Sequence, residues 1–175
     1  MLVGEDGRLI ELPVDFYVSS VGIVAEIWNN NLNRFSKCDM VFDTGASMTT
    51  IDTSIAIRSG YSLTDAENVV VSGVGDGAIP AKRIVLRDFK LGGIVIGPVM
   101  VDVLDFPING NAFALLGMNI IKEFNVIAKF NDKRSAPYKR DATIYLEPLY
   151  DLNDSVLFDS FIPMQSRFGV WVCRT

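Results

Sequence analysis

Histidine is absent from the 175 residues. That one absence removes Ser-His and Cys-His nucleophilic catalysis and most zinc sites. Cysteine is scarce: Cys38 and Cys173 are isolated thiols. A disulfide between them is open, and buried strand cysteines are the ordinary expectation. No apolar run reaches the ~18 residues that a membrane-spanning helix needs, and Met1 to Asp6 carries no signal-peptide pattern. A cytoplasmic protein without membrane contact is expected, unless the chain was trimmed from a longer one. Basic clusters are missing too. The net charge is −5, and the four basic residues between Lys133 and Arg140 read as a solvated hairpin tip. Nucleic acid is therefore not an expected partner, since phosphate binding needs clustered Lys and Arg. No metal and no cofactor are expected.

What remains is strand-forming material. An apolar content of 49% supports a substantial core, and 14 glycines among many Val and Ile favour strands over helices. The class is all-β. The chain divides into a domain over residues 1–148 and a C-terminal extension over 149–175, packed on the domain or at an interface between copies. Within the extension, Phe168 to Cys173 reads as one further strand.

The chemistry concentrates at Asp43-Thr44-Gly45-Ala46-Ser47, delivered by the apolar run Met40-Val41-Phe42. An Asp-Thr-Gly loop is the form in which a carboxylate is offered to a catalytic water. Two carboxyl groups held close together cannot both ionise cheaply, so they share a proton, and one serves as base and the other as acid. The loop occurs once in the chain. Asp52 and Asp159 stand in loose echoes that lack the Gly, and Asp52 is better read as the N-cap of a helix from Thr53 to Arg58, ended by Gly60. A second copy of the chain is the economical source of the second Asp43. Thr44 can hydrogen-bond across the two-fold axis, and Gly45 lets its N–H crowd the carboxylate. The tripeptide alone is short enough to arise by chance, and a polar turn after a strand explains it equally well.

A second signature follows, Ala114-Leu115-Leu116-Gly117-Met118-Asn119-Ile120-Ile121. With it, residues from about 20 to 148 resemble the retroviral-type aspartic proteases, the retropepsins. In that family an apolar pair followed by Gly enters a short helix after the strand that supports the active-site loop, and Leu115-Leu116-Gly117 fits. The order fits as well: a strand pair, Ile23 to Trp28 and Lys37 to Phe42, around Asn29-Asn30-Asn31, then the Asp loop, a hairpin, more strands, and the apolar-Gly element. The resemblance implies an acid-protease barrel with a flap hairpin and one or two short helices. It implies a homodimeric aspartic endopeptidase acting on an extended peptide or protein substrate.

Val69 to Pro80, β-branched and interrupted by Gly73, Gly75 and Gly77, looks like the flap. A Gly-rich tip can bend over a peptide, exclude water and offer backbone hydrogen bonds. A nucleotide-binding loop would have to open a helix, which Pro80 and its neighbours argue against. An ordinary hairpin without a lid role stays open. The expected catalytic residues are Asp43, Thr44 and Gly45. Expected substrate contacts are Ala46, Met48, Gly73, Val74, Gly75 and Ile79, with Phe106, Ile108 and Phe113 as further wall candidates.

Departures from the family pattern qualify these expectations. Met118 stands where retroviral enzymes carry Arg, so their ionic brace is absent. Ala46, by contrast, is as in many retroviral enzymes, where pepsin-like enzymes usually carry Ser or Thr, and it predicts a less acidic optimum. A polar hairpin from Asn131 to Asp141, flanked by strands Val126 to Phe130 and Thr143 to Leu146, extends the chain beyond viral length. Alternatives are a catalytically silent dimerisation or peptide-binding module on the same fold, and a β-barrel whose Asp-Thr-Gly is coincidental.

Overall fold

Along Val21–Asn29, Ile23, Ala25 and Ile27 are buried and alternate with more exposed neighbours, the period-2 pattern of a strand with one face on a core. The computed structural model describes residues 10–17, 20–72, 77–106, 113–136 and 139–149. In chain order the strands are β1 (Ile10–Tyr17), β2 (Val21–Asn29), β3 (Arg34–Phe42), β4 (Thr50–Asp52), β5 (Glu67–Ser72) and β6 (Ala78–Leu86). There follow β7 (Phe89–Leu91), β8 (Ile94–Ile96), β9 (Val99–Leu104), β10 (Ala114–Leu116), β11 (Phe124–Ala136) and β12 (Lys139–Pro148). Two short helices complete the described fold, α1 (Thr53–Arg58) and α2 (Met118–Ile121).

The sheet runs β11-β12-β1-β2-β3-β10-β4-β9-β6-β5, with the β7–β8 hairpin attached to β2. Among the described residues this path does not close on itself. Its informative step is β10, which lies between β3 and β4, parallel to the first and antiparallel to the second. That insertion carries Gly117 and α2 to the loop that follows β3.

One face of the sheet packs the core. Ile27, Ile51, Leu86, Phe89, Leu91, Val101 and Leu116 are fully buried there, each contributing about 1.5–3 kcal/mol of transfer free energy. Cys38 belongs to the same core, and burial, with the Asp39 charge second, pushes its thiol up to about 12, so it is not a nucleophile near neutral pH. Cys173 lies outside the described residues, as does the Phe168 to Cys173 strand.

Local signals account for the short elements. Asp52 caps α1, accepting from the Ser54 N–H at 2.8 Å, and Gly60, at φ 77°, turns the chain out of it. The turn joining β2 to β3 spans residues 30–33, one position later than the asparagine run suggests, with Asn33 at φ 50°. The stretch from Asn131 to Asp141 is a hairpin, as expected, but the strands do not end at Phe130 and Thr143: β11 and β12 continue into it, pairing Arg134 with Arg140 and Ala136 with Lys139 after register shifts. Backbone ladders tolerate polar side chains, so composition there did not mark the end of the strands.

Candidate active site

Asp43 continues the β3 ladder by one residue, its N–H donating to the Leu116 carbonyl at 3.0 Å. Its carboxylate Oδ1 accepts the Gly45 N–H at 2.8 Å, and a Cβ at Gly45 would stand 3.1 Å from that same oxygen. The carboxylate is half-buried, Thr44 and Gly45 are exposed, and Ala46 and Met48 are half-buried. No ion pair engages Asp43 among the described residues.

The loop is held from behind by α2. The N–H of Met118 donates to the Ala46 carbonyl at 2.8 Å and that of Asn119 to the Ser47 carbonyl at 3.1 Å. Asn119 is buried and uses both ends of its amide. Its Oδ1 accepts the Thr49 N–H at 2.7 Å and the Thr49 hydroxyl at 2.8 Å, while Nδ2 donates to the Met100 carbonyl at 2.9 Å. The Thr49 hydroxyl in turn accepts the Gly117 N–H at 3.1 Å. At Gly117 the backbones touch: a Cβ would fall 2.4 Å from the Met48 carbonyl carbon and 2.7 Å from the Thr49 nitrogen, which explains why only Gly follows Leu115-Leu116. Met118 is half-buried against the core, so apolar packing occupies the position of the missing ionic brace.

Registers define the face on which the Asp43 carboxylate lies. Cross-strand partners share a face, and Val41, two residues before Asp43, is opposite Leu115, which is opposite Thr50. The row continues from Thr50 to Asp102, from Asp102 to Arg83 and from Arg83 to Glu67. It therefore leads from the Asp43 loop across β10, β4, β9 and β6 to the β5–β6 hairpin. Ile79, 40% exposed, stands on the same face of that hairpin by alternation with Arg83. Gly73, Val74 and Gly75 lie outside the described residues, as does Ile108. Phe113 is 52% exposed, and Phe106 is half-buried with its N–H donating to Asp52 Oδ2 at 3.0 Å.

Thr49, Asn119, Arg83 and Asp102 were not among the expected site residues. Asp102 is buried and accepts from Arg83 Nε at 2.8 Å and Nη2 at 3.0 Å. The hydrogen bond to Asp102 raises the Arg83 pKa despite the opposing cost of burial. Among the described residues no group of three or more potential metal ligands stands together, and no helix is long and apolar enough to cross a membrane.

Comparison with known proteins agrees with this geometry. Residues 26–120 match the aspartyl protease family. The structure is similar to the crystal structure of a retropepsin-like aspartic protease from Rickettsia conorii, with a TM-score of 0.53 and 19% identity, over 79% of this chain and 94% of that one. It also matches the retroviral protease-like domain of Ddi1 from Leishmania major, with a TM-score of 0.43 and 18% identity, over 63% of this chain and 81% of the other. No curated protein sequence matches the chain.

Proposed function

Because the chain belongs to the aspartyl protease family, we propose that it is a homodimeric aspartic endopeptidase whose two Asp43 carboxylates hold one water between them. The reading rests on the Asp43 loop, fixed from behind by Gly117, Asn119 and Thr49 while its carboxylate engages no cation among the described residues. One ionised Asp43 takes a proton from the water as the oxygen attacks the peptide carbonyl carbon. The protonated Asp43 of the second copy gives its proton to the carbonyl oxygen, forming a neutral tetrahedral diol. Collapse of the diol breaks the C–N bond, with one proton delivered to the leaving amine, and the pair returns to its shared-proton state. Gly45 orients the carboxylate through its N–H, and the β5–β6 hairpin covers the peptide and excludes water.

The second copy needs a surface, and β11 offers one. It is an edge strand, paired only to β12 among the described residues, and it starts three residues after α2, the element that supports the Asp43 loop. Val126 is 40% exposed on the face whose β12 partner, Leu146, is buried. An edge strand of this kind invites pairing with another chain. The extension expected on the domain or at an interface between copies, residues 149–175, lies beyond Leu149 outside the described residues.

The deciding experiment incubates a diverse peptide mixture with the native chain and with Asp43→Asn from mildly acidic to neutral pH, reading products by mass spectrometry. The variant keeps the shape of the carboxylate and loses the acid-base group. The reading expects cuts between apolar residues by the native chain, reduced by at least ~1000-fold in the variant. Equal cutting by both, or none by either, overturns it, and the second result favours a silent peptide-binding module.

A further inference from the structure

The Arg83–Asp102 pair is not needed by the chemistry at Asp43, yet it occupies the face that carries it. Both nitrogens of the Arg83 fork engage both oxygens of Asp102, the charge-assisted geometry that fixes direction as well as distance. The pair is largely withdrawn from water, with 12% of the Arg83 side chain and 3% of the Asp102 side chain exposed. Buried ion pairs are a poor means of stabilising a fold, because apolar side chains of similar volume do as well or better. Neighbouring Val101 and Val103 on the same strand are apolar and buried. What a fork-to-carboxylate pair adds over such residues is fixed register.

Its location gives that register a use. β6 pairs with β9 from Lys82 to Leu86 and with β5 from Ala78 to Arg83. Arg83 is therefore at the root of the hairpin, where the strand leaves the body of the sheet. Asp102 leads the other way. Its N–H donates to the Thr49 carbonyl at 3.0 Å, and Thr49 is the residue that joins Asn119 and Gly117 behind the Asp43 loop. Asn119 and Met118 then donate to Ser47 and Ala46. A continuous hydrogen-bonded path runs from the hairpin root to the catalytic loop.

We propose that Arg83 and Asp102 are positioning residues whose bidentate pair fixes the root of the β5–β6 hairpin to the frame of the Asp43 loop, so that the hairpin closes over a bound peptide in register with the carboxylates. The catalytic consequence rests on the protease reading above, whereas the attachment of the hairpin does not. The pair acts through the hairpin and not on the reacting atoms, which separates it from Asp43. Loosening the root loses peptide binding before it loses chemistry, so KM responds more than kcat.

The test uses the full chain carrying Arg83→Met with Asp102→Leu, which removes both charges at similar volume, and Arg83→Lys, which keeps the charge and loses the fork. Backbone hydrogen exchange is measured over Val69–Ser72, Ala78–Lys82 and Gly45–Ser47, beside steady-state cleavage of a peptide that the native chain cuts. At an unchanged melting temperature, the double variant is expected to exchange its hairpin amides at least ~10-fold faster. KM is expected to rise ~10-fold with kcat within ~3-fold, and Arg83→Lys to fall between the two. Native exchange rates in the hairpin of the double variant overturn the proposal. So does a fall in kcat at constant KM with exchange raised uniformly through the chain, the mark of a merely structural pair. If the double variant does not fold, Arg83→Lys decides by the same exchange comparison. If the native chain cuts nothing, the protease reading fails separately, and hairpin exchange alone decides the attachment.

Discussion

The loop that presents Asp43 and the β5–β6 hairpin are built on opposite terms. Behind the loop, Thr49, Asn119 and Gly117 are buried, every polar atom of the Asn119 amide has a partner, and two backbones meet without room for a methyl group. Among the described residues the β5–β6 hairpin is paired to the rest of the sheet only through Lys82–Leu86, and beyond that root Ala78, Ile79 and Pro80 are exposed. The proposed function accounts for the difference: catalytic groups need fixed geometry, whereas a cover must open and close, so buried satisfied polar groups suit one region and exposed β-branched residues the other. Substitutions in the two regions should accordingly differ in kind.

The largest effect is expected at Gly117. In Gly117→Ala the added methyl would lie 2.4 Å from the Met48 carbonyl carbon and 2.5 Å from its oxygen, against backbone that cannot rotate away. The loop and β10 must separate, and we expect a loss of at least about 4 kcal/mol, read by denaturant unfolding. A stable variant with native activity would mean that the frame behind Asp43 is far softer than its contacts imply.

Next in size is Asn119→Ala. It removes the acceptor for the Thr49 N–H and hydroxyl and the donor to the Met100 carbonyl, inside a buried site. Leaving those groups without partners should cost about 2–4 kcal/mol, with cleavage reduced further than the folded fraction alone would give. A loss of stability without any change in the remaining molecules' kcat would make Asn119 a fold residue and narrow the catalytic frame to Gly117.

These two residues also mark what sequence could and could not say. Gly117 was legible because an apolar pair followed by Gly has a definite place in the family resemblance, and Asp43 because its tripeptide ends a strand. Asn119 stood inside the same quoted stretch without a role, since an Asn near a helix start has many uses and its partner Thr49 is distant in sequence. Arg83 and Asp102 were illegible for the same reason: only the β6–β9 register brings them opposite each other. β1 was missed altogether, because Pro13 and the acids Glu11 and Asp15 obscure a strand that the ladder to β12 secures. Local elements such as the Asp52-capped helix were readable, and long-range pairings were not.

A smaller effect, tied to pH, is expected at Asp52, where β4 leaves the catalytic frame. Partial burial opposes ionisation there. Hydrogen bonds from the Ser54 side chain, from the Phe106 and Ser54 N–H groups, and the Arg58 charge outweigh it and lower the pKa below the carboxylate's ordinary 3.8. A depressed pKa means that the unfolded chain binds the proton more readily, so the stabilisation is fully present above the unfolded value and is lost as pH falls through the folded one. Asp52→Asn keeps a capping oxygen but cannot serve both Ser54 and Phe106 as two carboxylate oxygens do. We expect a deficit of about 1 kcal/mol at neutral pH that shrinks below about pH 4. A deficit that stays constant with pH would assign the loss to shape and not to charge.

The smallest change in stability is expected on the hairpin itself. Val70 is 62% exposed and, with its partner Pro80, lies on the face of the hairpin turned away from the Arg83 row. Val70→Lys exchanges one exposed side chain for another without burying charge, so unfolding free energy should change by less than about 0.5 kcal/mol. Because that face is opposite the Arg83 row, the proposed reading expects KM also to hold, in contrast to the Arg83 and Asp102 variants at the root. A destabilisation comparable to that of Asn119→Ala would mean that the hairpin's outer face is covered in solution by a second copy. The contrast between a packed frame and a free cover would then apply only to the isolated chain.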